Sequence, residues 1–287
     1  MYCKHCKKEV NPIIDDSKAH RVMVGDSTKE EDFKKLTKEK TADMCWTDPP
    51  YGVSYKGTDK DIMTNDELRE EELYNFLMKI YLNVDKYTKP NAALYTCIAS
   101  LRRIIFENAL KGVGFIVKQQ LIWEKGHTLS RDDYHWSHEP ILYCRKKDQP
   151  GWYGDRTHKT VVLNATIENL QELKKEELIN MIAEIRKNSD LIKEKKDPSS
   201  QYLHSTQKPV ALSKQMIKNS TRPKEIVLEP CAGSGSTLMA CETSGRVCYA
   251  MEISEKYVDV ILTRWAEFTK KDPIRESDVE PWSKINK

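Results

Sequence analysis

No stretch of the 287-residue chain is apolar for long enough to cross a bilayer, which argues against a transmembrane helix. The opening Met1-Tyr2-Cys3-Lys4-His5-Cys6-Lys7-Lys8 is polar and lacks a signal-peptide pattern, so the expected compartment is the cytosol. Charge of one sign is missing too: 47 Lys and Arg stand against 44 Asp and Glu, a net of +3. A nucleic-acid partner would therefore have to be met by a local basic surface. Eight cysteines in a chain this long do not make a disulfide scaffold. Cys45, Cys97, Cys144, Cys231, Cys241 and Cys248 lie in or beside apolar segments, as reduced core residues do. Cys3 and Cys6 have the spacing of half a zinc knuckle, but no second Cys-x-x-Cys follows. Even with His5 and His20 counted, no metal site is assigned. No internal repeat is evident.

What is present centres on Asp48-Pro49-Pro50-Tyr51. It follows the apolar run Ala42-Asp43-Met44-Cys45-Trp46-Thr47, which reads as a buried strand. Two prolines stop the ladder because neither has an amide hydrogen to donate. The acid, the rigid carbonyls and the ring are thus expected at the carboxyl end of a strand, the edge at which open α/β sheets bind ligands. The group suits the holding of a planar amino group. An exocyclic NH2 on a base is a poor nucleophile until acceptors hold both hydrogens. Asp48 and the Pro49 carbonyl can be those acceptors, and Tyr51 offers a flat face for stacking. Taken alone, the same residues also read as a proline-rich turn with an ordinary turn Asp.

Around this stretch the chain alternates. Arg21 to Asp26 reads as a strand ending in Gly25-Asp26, followed by a helix that Ser27 or Thr28 could cap. Asp26 is expected beside Asp48, or else as a helix-capping acid. A polar segment, Lys56 to Glu67, reads as a loop over the site. Helical spacing runs from Leu68 to Tyr87, then a strand from Ala92 to Cys97, and a helix marked by Leu101, Ile104, Ile105 and Ala109. Phe115–Trp123 and Pro140–Cys144 read as further strands. The last third has a strand at Glu225–Leu228, a glycine-rich turn and a helix through Leu238 and Cys241. A strand ending at Glu252 and a final helix from about Ser254 to Thr269 follow. The alternation predicts an α/β fold with a doubly wound, mostly parallel sheet.

From Gly126 to about His204 the alternation lapses. Its first part interleaves aromatic and basic residues, and Arg131, Trp136, Lys146, Trp152 and Arg156 are the expected DNA-facing set. Its second part, Ile167 to about Lys195, reads as a charged helix with a solvated face.

The strand, glycine-rich turn, helix and following strand-end acid form a nucleoside-binding unit. A dinucleotide fits poorly, because the third glycine of that fingerprint is missing and Glu229 at the mouth of the turn would repel a pyrophosphate. A carboxylate there suits the positive charges of S-adenosylmethionine, with Glu252 on the ribose. In these motifs the chain resembles the amino-methyltransferases that modify DNA, in the permuted arrangement where the catalytic half precedes the cofactor half. Asp48, Pro49, Pro50 and Tyr51 match the family's catalytic motif. Glu229, Pro230, Cys231, Ala232, Gly233, Ser234 and Gly235 match its cofactor loop, and Gly25-Asp26 matches a short motif ahead of the catalytic one. His204-Ser205-Thr206-Gln207-Lys208-Pro209 is similar to a cofactor-side segment, departing at Ser205, and puts Thr206 and Lys208 with the cofactor.

The resemblance implies a Rossmann-like methyltransferase that divides as follows: an N-terminal segment 1–20, a catalytic half 21–125, an inserted target-recognition region 126–203 and a cofactor half 204–287. It implies S-adenosylmethionine as methyl donor, double-stranded DNA as substrate and adenine N6 as the target, reached by base flipping. Cytosine N4 is the nearest alternative, although Ser in place of Asp48 is the commoner pattern there. An inactive DNA-binding relative and a nicotinamide oxidoreductase are the other readings, disfavoured by the intact catalytic motif and by Glu229. No nuclease-like region is present, so a restriction partner, if any, is a separate chain. The expected assembly is a monomer or homodimer.

Overall fold

The computed structural model describes residues 19–53, 66–124, 138–147, 151–154, 191–193, 208–275 and 280–281, with 133, 136, 149, 176 and 179 besides. The strands are β1 Arg21–Val24, β2 Ala42–Thr47, β3 Thr88–Cys97, β4 Ile116–Glu124, β5 His138–Arg145, β6 Leu191–Lys193, β7 Ile226–Glu229 and β8 Val247–Glu252. Together they make one sheet in the order β1-β8-β7-β2-β3-β5-β4-β6. Neighbours from β1 to β3 are parallel, β5 runs antiparallel to both β3 and β4, and β6 is parallel to β4. A short β9–β10 pair, Ile274–Arg275 with Glu280–Pro281, stands apart.

The period of two along the central strands explains why both faces are covered. In β2, Cys45 points into one core while Met44 and Trp46 point into the other; in β3, Leu94 faces the first and Ala93 and Tyr95 the second. Three helices cover the first face: α1 Glu30–Thr37, α2 Glu70–Tyr87 and α3 Arg103–Val113. They contribute Phe33, Leu77, Ile80, Tyr81 and Phe106. Three more cover the second: α4 Val210–Ser220, α5 Ser236–Glu242 and α6 Glu255–Thr269, through Leu212, Ile217, Leu238 and Ile261. The doubly wound, mostly parallel sheet is as expected. The six cysteines assigned to apolar segments are unpaired thiols, all buried except the partly buried Cys231. Among the described residues, no helix is long and apolar enough to cross a membrane.

Five expectations are corrected. Asp26 does not lie beside Asp48, because β8 and β7 intervene between β1 and β2. The helix cap is Lys29 rather than Ser27 or Thr28, with Asp26 accepting from the Thr28 amide at 2.9 Å and its hydroxyl at 2.7 Å in the turn before α1. Residues 138–145, within the bounds given to the insertion, form β5 inside the sheet, the strand expected at Pro140–Cys144. With no helix read between β4 and β5, the chain turns back on itself, and the pair is antiparallel. Leu191–Lys193, read as part of the charged helix, is β6, which pairs with the open edge of β4. Leu101 and Ile104, read as marks of the helix, are 82% and 75% exposed, while Phe106, Ala109 and Leu110 carry its buried face.

Candidate active site

The chain leaves β2 at Thr47, and Asp48 to Tyr51 turn over the carboxyl edge of the sheet. The turn is fastened from below by Asp66, which is 2% exposed. Its Oδ1 accepts the Tyr51 and Gly52 amides, each at 2.9 Å. Gly52 has φ +68, and a Cβ there would meet the Leu68 carbonyl at 2.9 Å, so the tight corner requires glycine. Arg102, in the turn after β3, donates to the Gly52 carbonyl at 3.3 Å. The Tyr51 ring meets the edge of Phe106 at a centroid distance of 6.2 Å.

Asp48 and Tyr51 belong to a cluster of four polar groups. The Tyr51 hydroxyl contacts Asp48 Oδ1 at 2.5 Å and Glu139 Oε1 at 2.7 Å. Lys208 Nζ lies 2.7 Å from Asp48 Oδ2 and 2.8 Å from the same Glu139 oxygen, and donates to the Tyr51 oxygen at 3.3 Å. The ammonium also sits 5.6 Å from the centre of the Tyr51 ring and 5.9 Å from that of Trp123. Burial works against its charge, but Asp48 and Glu139 more than offset this and hold its pKa well above the ordinary lysine value. Burial first, then the same two acids, pushes the Tyr51 phenol well above its usual range, so the hydroxyl keeps its proton. Asp48, Cys97 and Glu139 offer ligand atoms within 4.8 Å of one another, as metal ligands would. Here the Lys208 ammonium bonds to both carboxylates of that set.

Glu139 and Asp66 are not candidates in the sequence reading. Glu139 opens a strand, whereas the sequence rule looks for acids at strand ends. Because β5 is antiparallel, its beginning lies on the functional edge, with Ile141 opposite Cys97. The signal available was a charged residue, Glu139, directly before the Pro140 that begins the predicted strand. The ammonium of Lys208, a residue expected with the cofactor, reaches Asp48. Its main chain keeps the other connection, the carbonyl accepting from the Ser236 hydroxyl at 2.6 Å at the start of α5.

The second site lies at the ends of β7, β8 and β1. Glu229 closes β7 and is 2% exposed. Rather than facing outward, it ties the loop: its oxygens accept the Cys231 amide at 3.1 Å and the Thr237 hydroxyl at 2.9 Å. Burial pushes its pKa well above the ordinary carboxyl range, against the pull of those two hydrogen bonds. From Pro230 the loop runs past Ala232, whose amide bonds to the Met251 carbonyl at 3.0 Å, and Ser234, whose carbonyl accepts from Arg264 at 3.1 Å. Gly233 and Gly235 have φ +53 and +79. A Cβ on Gly235 would press on Ile261 at 3.0 Å, whereas nothing lies within 4 Å of one on Gly233. The loop therefore packs α6 at one glycine and leaves open space at the other, as close approach by a ligand needs. Glu252 ends β8 and accepts the Gly233 amide at 2.8 Å and the Ser254 amide at 3.0 Å. Burial raises its pKa against these donors. The Ser27 hydroxyl lies 3.8 Å from Cys231 Sγ, and the Gly25 amide bonds to the Glu252 carbonyl, so Gly25-Asp26 adjoins this site. The open glycine, the strand-end acid and the adjoining turn fit a nucleoside.

The residues expected to face DNA separate. Trp136 packs on His138 at 5.7 Å, at the head of β5 and on the active-site edge. Lys146 and Trp152 follow the other end of β5. Lys146 donates to the carbonyls of Asp85 and Thr88 and pairs with the Asp85 carboxylate at 3.1 Å. Trp152 packs 6.4 Å from Tyr143. Both belong to the opposite edge and are withdrawn from the DNA-facing set, since composition cannot say which way a cation points. Arg131, Arg156 and Thr206 lie outside the described residues, as do Cys3 and Cys6.

Comparison with known proteins gives concordant results. The chain is 27% identical over 265 residues to the DNA adenine methyltransferase YhdJ of Escherichia coli K12, covering 86% of this chain and 83% of that one. It is 24% identical over 289 residues to the type II methyltransferase M.HinfI of Haemophilus influenzae, covering 96% and 73%. Among solved structures, M1.HpyAVI in complex with S-adenosylmethionine superposes with a TM-score of 0.58 at 20% identity, over 85% of this chain and 98% of that one. The cytosine-N4-specific PvuII DNA methyltransferase superposes with 0.60 at 15% identity, over 92% of each. These two likenesses speak for the fold. A family model described as DNA methylase matches residues 42–263, a span from β2 through most of α6 that takes in both sites, and the chain belongs to that family of N6/N4 DNA methylases.

Proposed function

We propose that the protein methylates the N6 amino group of adenine in double-stranded DNA, with S-adenosylmethionine as donor. The observation that carries the reading is the partly exposed Asp48 carboxylate at the sheet edge, in a turn held rigid by Asp66 and next to β7, whose loop forms the second site. Bound S-adenosylmethionine supplies an electrophilic methyl group on a sulfonium. Gly233, Glu252 and the loop from Pro230 to Gly235 would hold it, with Gly25-Asp26 alongside. Asp48 accepts one amino hydrogen of the base and the Pro49 carbonyl the other, which aims the nitrogen lone pair at the methyl group. Holding both reactants in line supplies much of the rate.

A paired adenine cannot reach this corner, so it leaves the helix at a cost of roughly a few kcal/mol. Stacking on Tyr51 returns about 1–3 kcal/mol of that. An aspartate at position 48 supports adenine over cytosine. Trp136, Arg131 and Arg156 are the proposed DNA contacts. The test is incubation of unmodified DNA with the protein and tritiated S-adenosylmethionine, followed by separation of the nucleosides. Label in N6-methyladenine is expected, and label in N4-methylcytosine would overturn the choice of base.

A further inference from the structure

Asp48 has both oxygens engaged, Oδ1 by the Tyr51 hydroxyl and Oδ2 by the Lys208 ammonium. Amino methylation asks that same carboxylate to accept a hydrogen from the base. Each of its present partners already touches a second acceptor, and it is one atom: Glu139 Oε1 lies 2.7 Å from the hydroxyl and 2.8 Å from the ammonium. We propose that Glu139 is a positioning residue for methyl transfer, the acceptor onto which Tyr51 and Lys208 settle when Asp48 turns to the base. This rests on the amino-methyltransferase reading given above.

Proton counting supports the exchange. The Tyr51 hydroxyl has one hydrogen and stands between two carboxylates, so it serves one of them at a time. Lys208 has three, and Asp48, Glu139 and the Tyr51 oxygen account for all three. Its ammonium is buried, and a buried charge cannot give up its last anionic partner without a large penalty. If Asp48 were its sole carboxylate, committing Asp48 to the base would strand that charge. Glu139 removes the conflict by staying paired throughout. The side-chain exposures agree with this division: Asp48 keeps 21% and can be reached by a ligand, whereas Glu139 keeps 10%.

The test compares wild type, Glu139→Gln and Glu139→Asp in single-turnover methyl incorporation, on a duplex carrying the sequence that wild type is found to modify. S-adenosylhomocysteine titration of each variant reports that the fold and cofactor site are intact. Glutamine keeps the shape and removes the charge, so its rate should fall by about tenfold or more with the cofactor Kd within about twofold, a loss confined to the reacting state. Aspartate keeps the charge, and the flexible Lys208 can follow it. Its rate should exceed that of the glutamine variant by at least about threefold. Glutamine at the wild-type rate, or aspartate no faster than glutamine, overturns the inference while leaving the amino-methyltransferase reading intact. Wild type that labels no base at all removes that reading itself.

Discussion

Asp66→Ala is the perturbation whose outcome follows most directly from the geometry. Two amides, Tyr51 and Gly52, converge on one buried carboxylate oxygen at 2.9 Å each. Hydrogen bonds to a charged acceptor contribute about 1.5–3 kcal/mol apiece, so the pair holds the turn by about 3 kcal/mol at the low end. Removing it shifts the balance between the held and open turn by roughly a hundredfold, at 1.4 kcal/mol per decade. Since Asp48 and the Tyr51 ring are aimed by this turn, the single-turnover methylation rate should drop by up to about a hundredfold. Cofactor affinity should change little, because the amides that Asp66 holds belong to the turn after β2 and not to the loop after β7. Asp66→Asn keeps an oxygen and loses the charge, and should fall about midway, near tenfold. Thermal melting with and without S-adenosylhomocysteine separates a loosened turn from an unfolded protein. If a folded Asp66→Ala variant methylates within about threefold of wild type, the turn is held by other contacts and the argument fails.

Three other outcomes are expected. His20 Nδ1 accepts the Cys248 amide at 2.9 Å while Nε2 faces Glu242 at 2.9 Å, an arrangement that needs a neutral ring. Burial lowers its pKa below 6.5 despite Glu242, so its contribution to stability is present above the unfolded value and is lost as pH falls through the folded one. Urea midpoints should therefore fall between about pH 7 and 5 more steeply in wild type than in His20→Gln, and parallel slopes would refute this. Gly235→Ala should lower the melting temperature, through about 1–2 kcal/mol of left-handed strain plus contact with Ile261. Gly233→Ala bears similar strain but no clash, so its larger effect should be on S-adenosylhomocysteine affinity by calorimetry; the opposite pattern would reverse the roles given to the two glycines. Lys146→Met should destabilise the fold by removing the cation from the carboxyl end of α2, while leaving the salt dependence of DNA binding unchanged. A flatter salt slope would return Lys146 to the DNA surface.

What could be read from the sequence was what is local to one turn of chain. Asp48-Pro49-Pro50-Tyr51 and Glu229 to Gly235 carry their own geometry, because prolines end a ladder and glycines permit positive φ. The buried strands were legible for a similar reason, their period and their apolar residues lying within each segment. Relations between strands were not. Consecutive strands often pair, which would put Asp26 beside Asp48, whereas the sheet inserts β7 and β8 between them. Glu139 was invisible because strand direction is set by the connection and not by the residues of the strand. Asp66 sits in what reads as a featureless polar segment, and its role depends on amides 14 and 15 residues earlier.

Lys208 has a consequence for how the two ligands sense each other. Its carbonyl is fastened to Ser236, at the residue following the Gly235 that ends the cofactor loop, while its ammonium grips Asp48. One residue thus links the turn after β2 to the start of α5, beside the direct pairing of β7 with β2. On the proposed reading, a donor that settles that loop would act on the orientation of Asp48 through this one residue. Linkage makes the exchange symmetric: a base held by Asp48 must tighten or loosen the donor by the same factor that the donor applies to the base. On that reading, heterotropic coupling between nucleobase and methyl donor would run through Lys208 itself.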